Sequence, residues 1–297
     1  MVRSRISAWT VSIARMCRRW GIVVCATWRT SVAFLTTGVF AAWQVYMGDE
    51  ALIPARVFSG HRNVALICAS AFFLNGPFQS VIYWLPVWFQ TVLGVSPIES
   101  GTLYLPTVIS DVLAAVIGSA LVMQVGYWNP FLLFAEASAS LGGGLLSTIY
   151  PTISYGHLIG YQIFGGLGYS LATAMVHIGL QSSMPNDIIP IGSSTLLTII
   201  SISCSVFLAL GQLAFQNRLG SNLAPFVSRE TIDKIILAGA TNIATVVDEN
   251  DLPIVIEQYA LPKYLTAAAP VISFFLVCGC QWISTKKAPE PKDEEVK

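Results

Sequence analysis

The sequence predicts an all-α fold, a polytopic membrane helix bundle of about seven transmembrane helices. Hydrophobic residues make up 54% of the chain and charged residues only 11%, and the mean hydropathy is +0.66, outside the usual range of soluble proteins. The apolar residues also form separate runs, each long enough to cross about 30 Å of hydrocarbon at about 1.5 Å per residue. The alternative, a soluble protein with one very large core, would need charged surface that this chain lacks.

The clearest unit is a helical hairpin at residues 158–210. Two apolar runs flank Pro185, Asn186 and Asp187, which suit a short aqueous turn. The first run is rich in glycine, which costs a helix in water about 1 kcal/mol per residue. In lipid, small residues let helix backbones approach closely. The run therefore predicts a packed bundle and not a single membrane anchor.

We predict spans at about residues 31–47, 64–89, 102–125, 130–149, 158–180, 188–210 and 264–283. The predicted domains begin with a basic segment outside the fold (1–27), an extra transmembrane helix (28–49) and transmembrane helices two to six (50–214). A long outward-facing loop follows (215–262), and its residues 229–240 are predicted to form an amphipathic helix. The last transmembrane helix (263–285) and a charged cytoplasmic tail (286–297) complete the chain. Since most links are short, we expect successive helices to lie antiparallel and adjacent.

Basic residues set the predicted orientation. Lys286 and Lys287 follow the last span, and Arg56 precedes the second, so we expect both places on the cytoplasmic side. The arginine-rich residues 1–20 then fall outside, against this tendency. They are either an organelle-targeting presequence or a start inherited from a longer parent or a misplaced gene boundary. Because an odd number of spans has basic residues at both ends, we expect that the chain lacks an N-terminal portion.

The sequence shows no constellation for enzyme, metal or cofactor chemistry. The three histidines lie on different segments, the six cysteines have no metal-ligand spacing, and no nucleotide-binding glycine loop is present. A net charge of zero gives no reason to expect a nucleic-acid partner. We therefore expect no cofactor and no metal. A membrane-embedded enzyme stays an alternative that would need clustered ligands or an activated nucleophile.

Polar side chains at helical spacing are candidates for a substrate or proton pathway. They are Asn75 and Gln79 on the second span, and Gln162, His177 and Gln181 on the fifth. Lipid cannot satisfy these groups, so they must face other helices or a watery cavity. Packing through small residues is the alternative. For stripes that carry amides and a histidine we favour the cavity.

Two carboxyl groups inside the apolar spans extend the list of candidates. Asp111 lies near the middle of the third span, and Glu136 about two turns into the fourth. A charged carboxylate at mid-membrane costs about 2.5–3.5 kcal/mol on insertion scales, so it normally faces the bundle interior. Each group is either a proton carrier or a permanently protonated, hydrogen-bonded side chain.

Several short segments, taken together, resemble one protein family. They are ALIPARVF (51–58), YWLPVWFQ (83–90), GVS (94–96), SG (100–101), LP (105–106), GYQI (160–163), IPIG (189–192) and AGAT (238–241), with Gln181 and Tyr259. Their combination and order resemble the C-terminal part of fungal major facilitator superfamily drug:proton antiporters of the fourteen-span type. The resemblance covers nearly the whole chain, from about residue 28 to residue 287.

The resemblance implies an extra helix followed by the C-terminal six-helix half of an efflux transporter. It implies export of small amphipathic compounds, such as toxins or secondary metabolites, driven by proton entry, and we expect the plasma membrane as the location. The chain departs from the family pattern at residues 202–205, where relatives carry glycines. The resemblance assigns no role to Asp111 or His177, so their roles rest on the physical argument alone.

Transporters of this class hold substrate between two bundles that rock against each other. The expected partners are therefore lipid, protons, a small amphipathic substrate, and a separate N-terminal half or a second copy. The rival hypothesis is a non-transporting membrane remnant or interaction protein.

Overall fold

The computed structural model describes residues 35–223 and 263–285, apart from residues 37, 41, 49–50, 52, 55–56, 59–61, 151 and 283–284. The chain divides into two compact units, Met1–Arg56 and Val57–Lys297. In the first unit, residues 38–40 and 42–47 are helical and fall within the first predicted span. The basic N-terminal segment, the amphipathic helix at 229–240 and the charged tail lie outside the described residues.

The described residues of the second unit form six α-helices and no strand. They are α1 (Arg62–Val92), α2 (Pro97–Val125), α3 (Asn129–Leu146), α4 (Tyr155–Ser182), α5 (Ile189–Leu223) and α6 (Lys263–Cys278). A 3-10 helix, Asn186–Ile188, joins α4 to α5 at the predicted hairpin turn. Among the described residues, α1, α2, α4 and the Asn186–Asn217 stretch are long and apolar enough to cross a membrane. The predicted all-α membrane helix bundle is confirmed.

Helix ends differ from the span ends that hydropathy predicts. α2 begins at Pro97, ahead of the predicted span, because Ser96 caps it: the Ser96 hydroxyl accepts from the Glu99 N–H, and the Glu99 carboxylate accepts from the Ser96 N–H. α5 continues to Leu223, into the stretch that was assigned to the long loop. Hydropathy finds the part of a helix that suits lipid, whereas caps and turns decide where the helix stops.

Two helices form the centre of the unit. In the apolar 18-residue stretch of each helix, 56% of the residues are buried in α1 and in α4, but only 22% in α2 and in the α5 span. α4 packs extensively against α3 and α2, while α1 packs against α5 and α6, and α6 also packs against α3. α2 and α5 are therefore peripheral helices, each laid against one of the two central ones.

Glycines bring α3 and α4 into backbone contact. A Cβ on Gly142 would lie 2.5 Å from the Gly165 Cα, and a Cβ on Gly168 would overlap the backbone of Ala139. No larger residue fits at either place without moving a helix, which is the close approach that small residues permit in lipid. The glycine content of the fifth span thus has the packing role predicted for it.

The expected adjacency of successive helices is wrong for α2 and α3, which barely touch although a short turn connects them. A groove of about 560 Å³ separates them, and its lining is apolar apart from Ser110. The reason is that α4 accepts both helices: Gly166 admits the backbone of Thr107 on α2, and Gly168 admits Ala139 on α3. A short link fixes that two helix ends are close, not that the helices pack along their length.

The residues after α6 are held by side-chain amides at the ends of other helices. The Asn63 amide donates to the Gln281 carbonyl at 3.0 Å, and its oxygen accepts from the Gln281 N–H at 2.9 Å. Asn129 donates to the same carbonyl at 3.3 Å. These contacts tie the C-terminal end of α6 to the starts of α1 and α3, and so fix which residues of α6 face them.

Candidate functional site

Polar residues meet along the contact between α2 and α4. The Thr107 hydroxyl on α2 donates to the Gln162 side-chain oxygen on α4 at 2.9 Å, and Gln162 is 1% exposed. One turn further along α4, Gly166 lies against the Thr107 carbonyl oxygen, where a Cβ would be only 2.6 Å away. The missing side chain lets the two helices come close enough for the bond between Thr107 and Gln162. We call this contact the α2–α4 seam.

Asp111 lies on the same seam. It is one turn after Thr107 on α2 and, with Gly118, belongs to the face that α2 turns toward α4. The Ser170 hydroxyl of α4 lies near its carboxyl group. The Asp111 Oδ1 atom is buried with no partner among the described residues, while the residue as a whole is partly exposed. Asp111 is therefore turned toward α4 with one oxygen still available to a ligand, water or proton.

Asn75 joins α1 to the same side of α4. The Tyr169 hydroxyl donates to the Asn75 Oδ1 atom at 2.9 Å, and the Asn75 amide donates to the Ala71 carbonyl at 2.9 Å. The ring of Phe78 stacks on the ring of Tyr169 with centroids 3.5 Å apart. This arrangement holds the aromatic ring of Tyr169 in one orientation between α1 and α4.

A small cavity of about 30 Å³ lies between these polar contacts. Most of its lining is apolar, and its polar lining residues are Thr107, Gln162 and Tyr169. A volume of this size holds about two water molecules when polar partners are present. The cavity provides room for water where α1, α2, α3, α4 and α6 meet, next to the seam that carries Asp111.

Glu136 occupies a different place, at the contact of α3 with α6 and α1. It is fully buried. The Ser273 hydroxyl on α6 lies 2.6 Å from the Glu136 Oε1 atom and 2.9 Å from the Ser70 carbonyl oxygen on α1. The Glu136 Oε2 atom is buried with no partner among the described residues.

The structure brings some of the predicted site residues together and leaves others apart. Asp111 of α2 and Gln162 of α4 each lie beside a residue of the other helix across the α2–α4 seam, and Asn75 of α1 meets α4 through Tyr169. Gln79 and His177 are partly buried, and Gln181 is exposed near the end of α4. Their involvement in a substrate or proton pathway stays a prediction for all seven residues, including Glu136.

Three residues of the site were not singled out from the sequence. Thr107 precedes Asp111 by four residues and Tyr169 follows Gln162 by seven, so helical spacing alone would have placed both on the faces that carry the predicted residues. Ser273, the partner of Glu136, is an isolated serine in an apolar run. Only the packing of α6 against α3 identifies it.

The described residues hold no cluster of three or more histidine, cysteine or acidic side chains that could bind a metal ion. Cys68, Cys204, Cys278 and Cys280 are free thiols. The fold and the site define a class: an integral membrane protein whose helix bundle encloses polar side chains, among them two carboxyl groups, in an apolar interior.

Sequence comparison identifies the relatives of this bundle. The chain is 33% identical over 262 residues to the MFS-type transporter pigP of Monascus ruber, an alignment that covers 86% of this chain and 46% of pigP. It is 30% identical over 267 residues to the efflux pump roqT of Penicillium rubens, covering 87% of this chain and 49% of roqT. The efflux pump bfoC of Aspergillus brasiliensis is 31% identical over 268 residues. No family model matches the chain.

The chain is thus homologous to fungal MFS-type transporters and efflux pumps, as the sequence motifs indicated. It spans about half the length of the curated relatives it matches. The relatives are transporters by name and not enzymes, in agreement with the expectation from the sequence.

Proposed function

We propose that this chain forms one helix bundle of an MFS-type efflux transporter that exports small amphipathic compounds by proton antiport across the plasma membrane. The homology to named efflux pumps supports the transporter class. Half of a relative's length corresponds to half of a two-bundle site, so the proposal requires a partner bundle, either a separate N-terminal half or a second copy.

The observation that carries the proposal is the state of Asp111 on the α2–α4 seam. A carboxyl group inside an apolar span is expensive and by default marks a functional pathway. Here it faces another helix and keeps one buried oxygen without a partner among the described residues. A proton on this oxygen would neutralise the group, and loss of that proton would leave a charge that favours hydration or a cationic ligand.

The geometry suggests how protonation would act on the helices. α2 is peripheral and touches α3 little, so α4 is its principal neighbour. The Thr107–Gln162 hydrogen bond crosses this contact, and the Asp111 carboxyl group lies near Ser170 of α4. A change of charge at Asp111 would therefore change the free energy of the α2–α4 seam and bias the position of α2, which is the coupling that alternating access needs.

The test is a chimera in which this chain replaces the aligned segment of roqT. In an efflux-deficient fungal host we expect the chimera to extrude the apolar dye Nile red, and we expect collapse of the proton gradient to stop extrusion. The isolated chain, at equal membrane level, is expected to extrude none unless it dimerises. A chimera that reaches the membrane at the level of native roqT but leaves dye retention unchanged would contradict the proposal, and so would extrusion that ignores the proton gradient.

A further inference from the structure

Three buried oxygen atoms meet at the contact of α1, α3 and α6: Glu136 Oε1, Ser273 Oγ and the Ser70 carbonyl oxygen. The Ser273 hydroxyl is within hydrogen-bonding distance of the Glu136 Oε1 atom, at 2.6 Å, and of the Ser70 carbonyl oxygen, at 2.9 Å. Glu136, Ser273 and Ser70 are all 0% exposed. A serine hydroxyl has one proton, and a carbonyl oxygen can only accept. Ser273 therefore cannot donate to both neighbours at once.

One assignment of protons satisfies the group and the other does not. If Ser273 donated to a Glu136 carboxylate, a full negative charge would be buried with one hydrogen bond, and its Oε2 atom would have no partner among the described residues. Burial of a charge that is neither paired nor fully hydrogen-bonded is among the most costly arrangements in a protein. If Glu136 is a neutral acid, its own hydroxyl donates to Ser273, and Ser273 donates to the Ser70 carbonyl.

The neutral assignment also explains the solitary Oε2 atom. In that form Oε2 is a carbonyl oxygen, and an under-satisfied carbonyl is tolerated far better than an orphaned charge. The 2.6 Å separation fits an O–H···O bond in either direction, so the assignment rests on burial and on the single proton of Ser273.

We infer that Glu136 is a positioning residue, a neutral acid whose hydroxyl donates to Ser273, which in turn donates to the Ser70 carbonyl and so joins α3 to α6 and α1. This assignment does not depend on the proposed function, because it concerns a closed contact and not transport. It removes Glu136 from the candidate proton carriers and leaves that role to Asp111.

Infrared spectroscopy of the chain in lipid, with carbon-13-labelled glutamate, tests the protonation directly. We expect a carboxylic-acid C=O band that Glu136→Gln abolishes, at the high-frequency end because its carbonyl oxygen accepts no hydrogen bond. Ser273→Ala should shift the band, since the acid loses its acceptor. Asp111→Asn is the matched control and should leave the labelled-glutamate band in place. Loss of only carboxylate bands in Glu136→Gln would overturn the inference.

A double-mutant cycle tests the coupling of the helices by a readout independent of spectroscopy. Ser273→Ala leaves a buried acid hydroxyl without an acceptor, so it should lower the thermal unfolding midpoint of the chain in detergent. In a Glu136→Gln background the loss should persist, because the amide can donate in the same place, and in a Glu136→Met background it should shrink to the contribution of the bond between Ser273 and the Ser70 carbonyl. Equal losses in the wild-type and Met backgrounds would overturn the inference, since they would mean that Glu136 and Ser273 do not interact.

Discussion

Asp111 and Glu136 both place a carboxyl group inside an apolar helix, but the two groups differ in burial and in their neighbours. Asp111 lies on a peripheral helix, is partly exposed, and meets α4 across a seam that also contains Gln162 and a small cavity. Glu136 is fully buried at a three-helix contact and has Ser273 as a close partner. Position in a span therefore does not define the role of an acidic residue. The packing around the residue does, because a carboxyl group can exchange a proton only where water or another hydrogen-bonding group reaches it.

The two regions also differ in what holds their helices together. Around Glu136, α3 meets α4 backbone to backbone through Gly142 and Gly168. Around Asp111, α2 is held to α4 by the close approach of Thr107 to Gly166 and by one side-chain hydrogen bond, and α2 is separated from α3 by an apolar groove. We therefore expect the α3–α4 contact to be rigid, and the α2–α4 seam to respond to a change of charge at Asp111.

The largest effect is expected from filling the rigid contact. Gly168→Ala would place a methyl group into the backbone of Ala139, and overpacking of this kind costs about 1–3 kcal/mol or more. We expect a chain fused to a fluorescent protein to lose its monodisperse peak in size-exclusion chromatography. Gly160→Ala on the same helix is the control, since nothing lies within 4 Å of its added Cβ. Equal behaviour of the two variants would contradict the backbone contact.

A large functional effect is expected at Asp111. Asp111→Asn keeps the size of the side chain but removes the exchangeable proton, so in the roqT chimera it should abolish proton-driven dye efflux, a loss of at least about tenfold. Glu136→Gln should keep efflux near the unmodified level, because an amide can still donate to Ser273. If Glu136→Gln abolished efflux and Asp111→Asn did not, the roles assigned to the two carboxyl groups would be reversed.

A smaller effect sharpens the account of the α2–α4 seam. Thr107→Val removes the hydroxyl that bonds Gln162 and keeps the shape of the side chain. Interhelical hydrogen bonds in membrane proteins contribute about 0.6 kcal/mol on average and about 1.7 at most. We expect a loss of that size in the free energy of unfolding, measured by titration with a denaturing detergent. Thr102→Val, whose hydroxyl bonds only its own helix at the Glu99 carbonyl, should change less.

The smallest effect is expected at Tyr169. Tyr169→Phe removes the hydroxyl that donates to Asn75 but keeps the ring that stacks on Phe78. The loss should therefore stay near about 0.6 kcal/mol. Tyr83→Phe, at a residue that is 52% exposed, is the control and should have no measurable effect. A loss at Tyr169 well above that at Thr107 would show that α1, and not α2, is the helix most dependent on polar contacts.

Much of the fold follows from patterns that act within one helix. Long apolar runs and the polar turn at 184–187 predicted where α4 and α5 lie, and glycine-rich composition predicted the tight contact of α4 with its neighbours. The groove between α2 and α3 could not be predicted in this way. The groove arises because α2 packs closely at Gly166 and α3 at Gly168, which are different places on α4. The sequence of one helix does not show where a neighbouring helix packs against it.

The candidate site divides along the same line. Asp111 and Gln162 were predicted because a polar side chain in a span must find partners, and the structure turns both toward another helix. Helical periodicity also places Thr107 and Tyr169 on the same helix faces, although neither is singled out by its residue type. Periodicity does not identify Ser273 as the partner of Glu136, because the two residues lie on different helices. Which residues of α6 face α3 depends on how α6 is anchored, here through the Asn63 contacts with Gln281.

The most direct test of the difference between the two carboxyl groups is their accessibility to water. Asp111→Cys and Glu136→Cys are made separately in a chain whose six native cysteines are replaced by serine, and each is treated in membranes with a charged, membrane-impermeant methanethiosulfonate reagent. We predict rapid labelling at position 111 and none at position 136 until the protein is denatured. Labelling at position 136, or a thiol at position 111 that stays unreactive because only lipid or protein surrounds it, would contradict the account.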